Sequence, residues 1–92
     1  MKKYELVITS RFKKDYKAAI KNGCRQELLE NVISALMNGE SLPEKNKDHA
    51  LAGDWNGYRE CHIQPDWLLI YKTEENLRVL VLVRTGTHSK LF

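Results

Sequence analysis

The chain has 92 residues and a formal net charge of +3; 42% of its residues are hydrophobic and 29% are charged. This length predicts one domain, residues 1–92, and is too short for an eight-stranded α/β barrel or a full dinucleotide-binding fold. The composition is that of a soluble globular protein and argues against a disordered chain. The longest aliphatic run, residues 79–83, is far shorter than the roughly 20 residues of a membrane span.

The sequence predicts neither a signal peptide nor a disulfide bond. Lys2 and Lys3 are followed by Glu5 and not by the apolar stretch of a signal peptide, so we expect a cytoplasmic protein. Cys24 and Cys61 form no C-x-x-C pair and are too few for a disulfide scaffold, which predicts two reduced, buried thiols. The histidines and cysteines lack the spacing of a metal site, so no metal is expected.

The positive charge is concentrated at one end of the chain. Residues 1–25 contain eight Lys or Arg against two acids, residues 26–48 two against five, and residues 49–92 five of each. A basic amino-terminal third predicts a surface that faces a polyanion such as nucleic acid. A solvated helix face explains the same pattern equally well.

The first half of the sequence predicts a strand and a helical hairpin. Residues 4–9 are short and rich in β-formers. Apolar residues at helical spacing then predict a helix that Thr9 or Ser10 caps and that Asn22-Gly23 ends, with lysines on its outer face. A second helix is predicted from about residue 25 to 37. The short connection between the two predicts an antiparallel pair.

The second half predicts a long loop and three strands. Residues 40–54 are polar and irregular, and strand-like segments follow at 55–63, 67–73 and 77–85. The resulting order, strand-helix-helix-strand-strand-strand, predicts an α+β fold in which the helices cover one face of a mainly antiparallel sheet. The other face is then available for a ligand.

Alternation along the strands predicts which side chains share a face. Tyr58, Glu60 and His62 fall on one face of their strand. In the last strand, Leu77 and the valines at 79, 81 and 83 are expected to face the core. Arg84 is then expected to project from the strand end on the less buried face, together with the intervening leucines at 80 and 82.

All three histidines, His49, His62 and His88, lie in this second half. Histidine transfers protons near neutral pH, arginine neutralises phosphate and aromatic rings stack on bases. Together these groups meet the needs of RNA cleavage without a metal. The residues alone still favour a plain module that binds nucleic acid or protein.

Several sequence blocks together resemble a known family. They are His-x-Leu-x-Gly from His49, Pro-Asp-Trp-Leu-Leu-Ile-Tyr from Pro65, and Arg-Thr-Gly-Thr-His-Ser from Arg84. With the Ser-Arg-Phe-Lys-Lys-Asp-Tyr-Lys block from Ser10, the resemblance covers essentially the whole chain. The chain resembles the YafQ-like branch of the RelE/ParE superfamily, the toxins of bacterial type II toxin–antitoxin systems.

The resemblance implies both a fold and a function. The fold is similar to that of microbial ribonucleases: an antiparallel sheet with a two-helix hairpin on one face, in the order β-α-α-β-β-β. The implied function is that of an mRNA interferase, an endoribonuclease that cleaves mRNA in the ribosomal A site until an antitoxin binds it. The implied partners are a cognate antitoxin, the ribosome with its 16S rRNA, and mRNA, with no cofactor, metal or membrane.

The resemblance also implies an active site, formed by His49, His62, Asp66, Arg84, His88 and Phe92. His88 is assigned as the general acid for the 5′-oxygen. Asp66, or one of His49 and His62, would assist removal of the 2′-hydroxyl proton. The remaining roles are stabilisation of the phosphate oxygens by Arg84 and contact with the splayed base by Phe92.

Two further expectations concern RNA contacts outside this set. Trp67 is a candidate for stacking on RNA, although its position between Asp66 and an apolar strand favours packing. By the resemblance, Lys13, Lys14 and Lys17 on the first helix would touch ribosomal RNA.

Two other functions remain open at this point. The ParE-like branch inhibits DNA gyrase and lacks this set of histidines. A catalytically silent module that binds only an antitoxin or RNA is the other alternative.

Overall fold

The computed structural model describes residues 3–92, so Met1 and Lys2 lie outside the description. Within that range the order is β1 (Glu5–Ile8), α1 (Ser10–Lys21), α2 (Gln26–Met37), β2 (His49–Ala50), β3 (Arg59–Gln64), β4 (Trp67–Glu74), β5 (Val79–Gly86) and α3 (His88–Leu91). Short 3₁₀ turns precede β2 and β3. The α+β prediction is confirmed, with β2 and α3 as additional elements.

The strands form one sheet in the order β1-β5-β4-β3-β2. Every neighbouring pair from β2 to β5 is antiparallel, but β1 runs parallel to β5. The sheet is therefore mixed and not wholly antiparallel. The first strand takes an edge position beside the last one, and the helical hairpin that follows it packs on the sheet.

Local sequence signals explain both ends of α1. Thr9 caps its start, because the Thr9 hydroxyl oxygen accepts a hydrogen bond from the Phe12 amide at 3.0 Å, and the same hydroxyl also lies 3.0 Å from the Leu82 carbonyl. Gly23, with φ of +92°, supplies the left-handed residue after the helix. The capping threonine therefore attaches the start of α1 directly to β5.

Apolar side chains lie on both faces of the sheet. The larger group, here the helix-side core, packs under α1 and α2 and includes Phe12, Leu29, Leu69, Leu80 and Leu82. The opposite face, here the open face, carries a smaller C-terminal cluster, in which Leu68 and Ile70 are covered by Leu91 of α3 and bordered by Leu51, Trp55, Tyr58 and Val83. Because both faces of β4 are covered, residues 67–71 are all buried.

The predicted faces of β5 were wrong. Leu80 and Leu82 are fully buried in the helix-side core, whereas the three valines are only partly buried and Leu77 is exposed before the strand begins. Leucine and valine are both apolar, so alternation separates the two faces without showing which one the helices cover. In addition, Ile70 pairs with Arg84 and Tyr71 with Leu82, which leaves Val83 as an unpaired bulge residue.

The remaining differences concern short segments. The predicted strand from residue 55 begins only at Arg59, because Trp55 belongs to the 3₁₀ turn Gly53–Trp55. The segment predicted to be an irregular loop supplies β2, which pairs with β3. Among residues 3–92, no helix combines the length and the apolar character that crossing a membrane requires.

Candidate active site

Strand register brings most of the predicted site to one end of the sheet. His49 pairs with Glu60, Glu60 with Ile70, and Ile70 with Arg84, so these four positions form one row across β2 to β5. A second row joins His62, Leu68 and Gly86. Because adjacent strands lie about 4.8 Å apart, the backbones of His62 and Gly86 are roughly 10 Å apart. His88 follows Gly86 by two residues.

The His49 ring is fixed by two contacts. Its Nδ1 lies 2.6 Å from the Lys47 carbonyl oxygen, and its Nε2 lies 3.5 Å from Oε2 of Glu60. A carbonyl oxygen only accepts, so Nδ1 carries the proton of the neutral ring and Nε2 has the free lone pair. Half of the His49 side chain is exposed, whereas the Glu60 side chain is only 7% exposed.

The segment before His49 is attached to the sheet by polar contacts. The Asn46 side-chain amide donates to the His62 carbonyl oxygen at 2.7 Å. The Asp48 carboxylate accepts from the Tyr71 hydroxyl at 2.6 Å and from the Arg59 guanidinium at 3.3 Å. Burial, followed by the hydrogen bond to Asp48, raises the pKa of Tyr71 and keeps its hydroxyl protonated. These bonds hold β2 and His49 against β3.

His62 lies in β3, two residues before its end, and Asp66 lies in the turn between β3 and β4. His62 is half-buried and lines a groove of about 490 Å³ together with Lys45 and Lys47. Asp66 is exposed and borders a smaller cavity that Thr87 and Lys90 also line. The turn therefore carries Asp66 towards the segment that bears His88.

Arg84 lies on the open face by strand register, as predicted, but its guanidinium is tied to Asp15 and does not project freely. Its Nε donates to Oδ2 of Asp15 at 2.8 Å and its Nη2 to Oδ1 at 3.1 Å. β1 ends at Ile8, whose partner is Leu82, so the last residues of β5 have a free edge on this side. There Asp15 also accepts a hydrogen bond from the Thr85 amide at 3.3 Å.

The Asp15 carboxylate is held ionised by this arrangement. Burial by itself would raise its pKa, but the hydrogen bonds from Arg84 and Thr85 outweigh burial and lower the pKa below 3.8. The pair uses two of the five N–H donors of Arg84. The other three remain for a ligand, although only 15% of the Arg84 side chain is exposed.

His88 is the first residue of α3 and Phe92 directly follows this helix, and both lie at the edge of the open face. The two rings lie 5.1 Å apart between centroids, and the Phe92 ring lies 5.9 Å from that of Trp55. Thr87 caps the helix through its hydroxyl, and Leu91 anchors it on the C-terminal cluster. His88 is exposed and Phe92 is 48% exposed, so both rings are accessible to a ligand.

Trp67 is not available for stacking on RNA. It is only 2% exposed and packs in the helix-side core, so the prediction of an RNA contact is corrected in favour of the packing alternative. Its position directly after the turn places the ring on the opposite face from Leu68. Among the described residues, its indole Nε1 has no hydrogen-bond partner.

The three predicted RNA-contacting lysines lie elsewhere. Lys13, Lys14 and Lys17 are exposed on α1, in the layer that covers the other face of the sheet. They share α1 with Asp15, which points inward to Arg84. These lysines therefore form a surface that is separate from the open face.

Strand register relates His49, His62 and Arg84, but the six residues of the predicted active site are not bonded to one another. Within residues 3–92 no hydrogen bond or ion pair joins any two of the six. Their partners are residues that sequence reasoning did not single out: Glu60 for His49 and Asp15 for Arg84. The shared face of Glu60 and His62 was a usable signal for Glu60; nothing in the sequence indicated Asp15.

Comparison with known proteins identifies the family. The family model described as the YafQ toxin of bacterial type II toxin–antitoxin systems matches residues 4–92. The chain belongs to this family. It is 40% identical to the mRNA interferase toxin YafQ of Escherichia coli K12 over 89 residues, which cover 96% of this chain and 95% of that protein.

Solved structures give the same family and the same fold. The E. coli DinJ–YafQ toxin–antitoxin complex matches with a TM-score of 0.88 and 38% identity, covering 98% of both chains. A metal-bound toxin from Helicobacter pylori matches with a TM-score of 0.91 and 40% identity, covering 97% of this chain and 99% of that one. This agreement supports the resemblance to YafQ-like toxins and the RelE-like arrangement of the sheet and hairpin.

The metal in the H. pylori toxin raises the question of a metal site in this chain. Residues 3–92 contain no group of three or more His, Cys, Asp or Glu side chains arranged to hold an ion. His49, the histidine with a carboxylate neighbour, has only Glu60 beside Nε2 in this part of the chain. The described residues do not fit a metal centre.

Proposed function

We propose that this toxin is a ribosome-dependent mRNA endoribonuclease. Support comes from the strand register, in which His49, His62 and Arg84 occupy adjacent rows, and from the accessible rings of His88 and Phe92 beside them. The relative of 40% identity is named an mRNA interferase. The open face is a shallow surface, which suits a substrate that the ribosome presents.

The proposed reaction is an internal attack by the 2′-hydroxyl. A base, either Asp66 or one of His49 and His62, takes the hydroxyl proton as the 2′-oxygen bonds to phosphorus. The bond from phosphorus to the 5′-oxygen breaks, and His88 protonates the leaving oxygen. The products are a 2′,3′-cyclic phosphate and a 5′-hydroxyl. Of the possible bases, His49 has a defined ring orientation, with Nδ1 bonded to the Lys47 carbonyl and Nε2 left to accept a proton in the neutral ring.

Arg84 and Phe92 have supporting roles. The free N–H donors of Arg84 would stabilise the charge on the equatorial phosphate oxygens. The exposed Phe92 ring would stack on a base splayed out of the mRNA. The Trp55 ring packs edge-on against the Phe92 ring and helps to hold it in position.

Primer extension on an mRNA that is being translated tests this function. Cuts in register with codons, absent without ribosomes, are expected. DNA damage without mRNA cuts would instead identify a gyrase poison, and an absence of both would identify a silent binding module. Either of these last two results would overturn the proposal.

The proposed partners are a cognate antitoxin and ribosomal RNA. The antitoxin is inferred from the DinJ–YafQ complex of a relative. Co-expression with a cognate antitoxin should yield a stable complex that no longer cleaves mRNA. Loss of cleavage without complex formation would contradict direct inhibition.

Neutralising Lys13, Lys14 and Lys17 together to Gln should weaken ribosome association. The slope of log affinity against log salt should become shallower by about one for each phosphate that the variant no longer neutralises, so the difference from wild type should shrink at high salt. Arg25→Gln is the matched control, because the charge of Arg25 is already paired with Glu27. Equal binding of the triple variant and wild type at low salt would leave α1 as an ordinary solvated helix.

A further inference from the structure

Glu60 is a buried carboxylate on the open face. Only 5% of the residue is exposed, and it lies opposite the apolar Ile70 on one side and His49 on the other. Among the described residues, His49 is its one ion-pair partner within 4.0 Å. A buried carboxylate is costly without a compensating positive charge, and the His49 ring offsets part of this cost when it is protonated.

The contact joins two groups that both accept protons. The Lys47 carbonyl accepts from Nδ1 of His49, so in the neutral ring Nε2 carries no proton, and it lies 3.5 Å from the Glu60 carboxylate. The lone pair of a neutral ring is repelled by that carboxylate, whereas an imidazolium is attracted to it.

The distance leaves Nε2 accessible to substrate. At 3.5 Å the two groups form an ion pair only when the ring is protonated, and the distance is too long for a good hydrogen bond. Nε2 can therefore still accept a hydrogen bond from a hydroxyl, and half of the His49 side chain is exposed to receive one. The Lys47 carbonyl holds the other nitrogen in place during this contact.

We propose that Glu60 is a positioning residue that acts through His49. It orients the ring and stabilises the imidazolium that forms when Nε2 takes the 2′-hydroxyl proton. The O–H bond of the substrate breaks as the N–H bond forms, and the ring returns the proton to solvent after cleavage. Glu60 itself neither gains nor loses a proton. This inference rests on the proposed nuclease function and specifies how one of its bases works.

Single-turnover cleavage of mRNA on programmed ribosomes tests this role. Glu60→Gln keeps the size of the side chain and removes its charge, so we expect the rate to fall about tenfold, which corresponds to about 1.4 kcal/mol of barrier. Glu60→Asp retains the charge and should recover most of the rate. Glu74→Gln, at an exposed position in β4, is the matched control and should cleave like wild type.

A double-mutant cycle distinguishes action through His49 from a general effect on the fold. His49→Gln should remove most of the contribution of the base, and adding Glu60→Gln should then change the rate less than twofold. If the two losses multiply, or if Glu60→Asp is as slow as Glu60→Gln, the proposal is wrong.

A failure of the role of Glu60 can be distinguished from a failure of the proposed nuclease function. A wild-type protein that cleaves no mRNA would refute the nuclease, whatever Glu60 does. A wild-type protein that cleaves, with a folded Glu60→Gln variant that cleaves at the same rate, would refute the role of Glu60 alone. Thermal unfolding of each variant establishes that it is folded.

Discussion

His88→Ala should reduce the single-turnover cleavage rate by about 10²–10⁴-fold, because the leaving 5′-oxygen would lose its proton donor. The ring is exposed at the first position of α3, and the helix is capped by Thr87 and anchored by Leu91. Removing the imidazole therefore leaves the attachments of the helix intact. Primer extension and single-turnover rates on programmed ribosomes measure the loss.

Ser89→Ala provides the control for His88. Ser89 is the next residue of the same helix and is exposed, so its substitution should leave the rate unchanged. Ribosome binding by His88→Ala should also remain close to wild type, which would assign the loss to chemistry. A His88→Ala variant that cuts mRNA and arrests growth like wild type would eliminate His88 as the acid.

Asp15→Asn should lower the free energy of unfolding by about 3–5 kcal/mol, because it leaves the largely buried guanidinium of Arg84 without its counter-charge. Both partners are largely buried, at 5% and 15% side-chain exposure. The substitution also weakens the bond to the Thr85 amide at the free edge of β5. Urea denaturation near pH 7 measures the difference.

The same variant has a defined pH dependence. The pKa of Asp15 is lowered in the folded protein, so its contribution is complete above the unfolded value of 3.8 and is lost as the pH falls through the folded value. The difference in stability between wild type and Asp15→Asn should therefore narrow below about pH 4. Replacing both partners, as Asp15→Leu with Arg84→Met, should recover stability. A constant difference down to about pH 2 would show that the charge of Asp15 is not responsible.

The helices and most strands were predictable because their signals are local. The apolar spacing in α1 and the glycine after it predict the helix and its end without any knowledge of neighbours. The faces of β5 were not predictable in the same way, since they depend on which side the hairpin packs and on the bulge at Val83. An alternating apolar pattern shows neither which face the hairpin covers nor where a bulge lies.

The resemblance predicts which residues form the site, and this set stays a prediction, but it does not predict their contacts. Resemblance indicated His49, His62, Asp66, Arg84, His88 and Phe92, but not what each side chain touches. The Glu60 contact arises from a two-residue strand, β2, that is too short to give a periodic signal. The Asp15 contact joins residues 69 positions apart in the sequence. Such pairs are set by tertiary register, which one sequence does not reveal.

Helix α3 is held on the sheet by one buried side chain, and this weak attachment affects how the toxin binds RNA. Leu91 is the buried residue of this four-residue helix, whereas β4 is covered on both faces. Local opening of α3 therefore costs much less than opening of the sheet, and its amides should exchange with solvent far faster than those of β4. RNA that engages His88 and Phe92 would slow this exchange, and part of its intrinsic affinity would be consumed in ordering the helix.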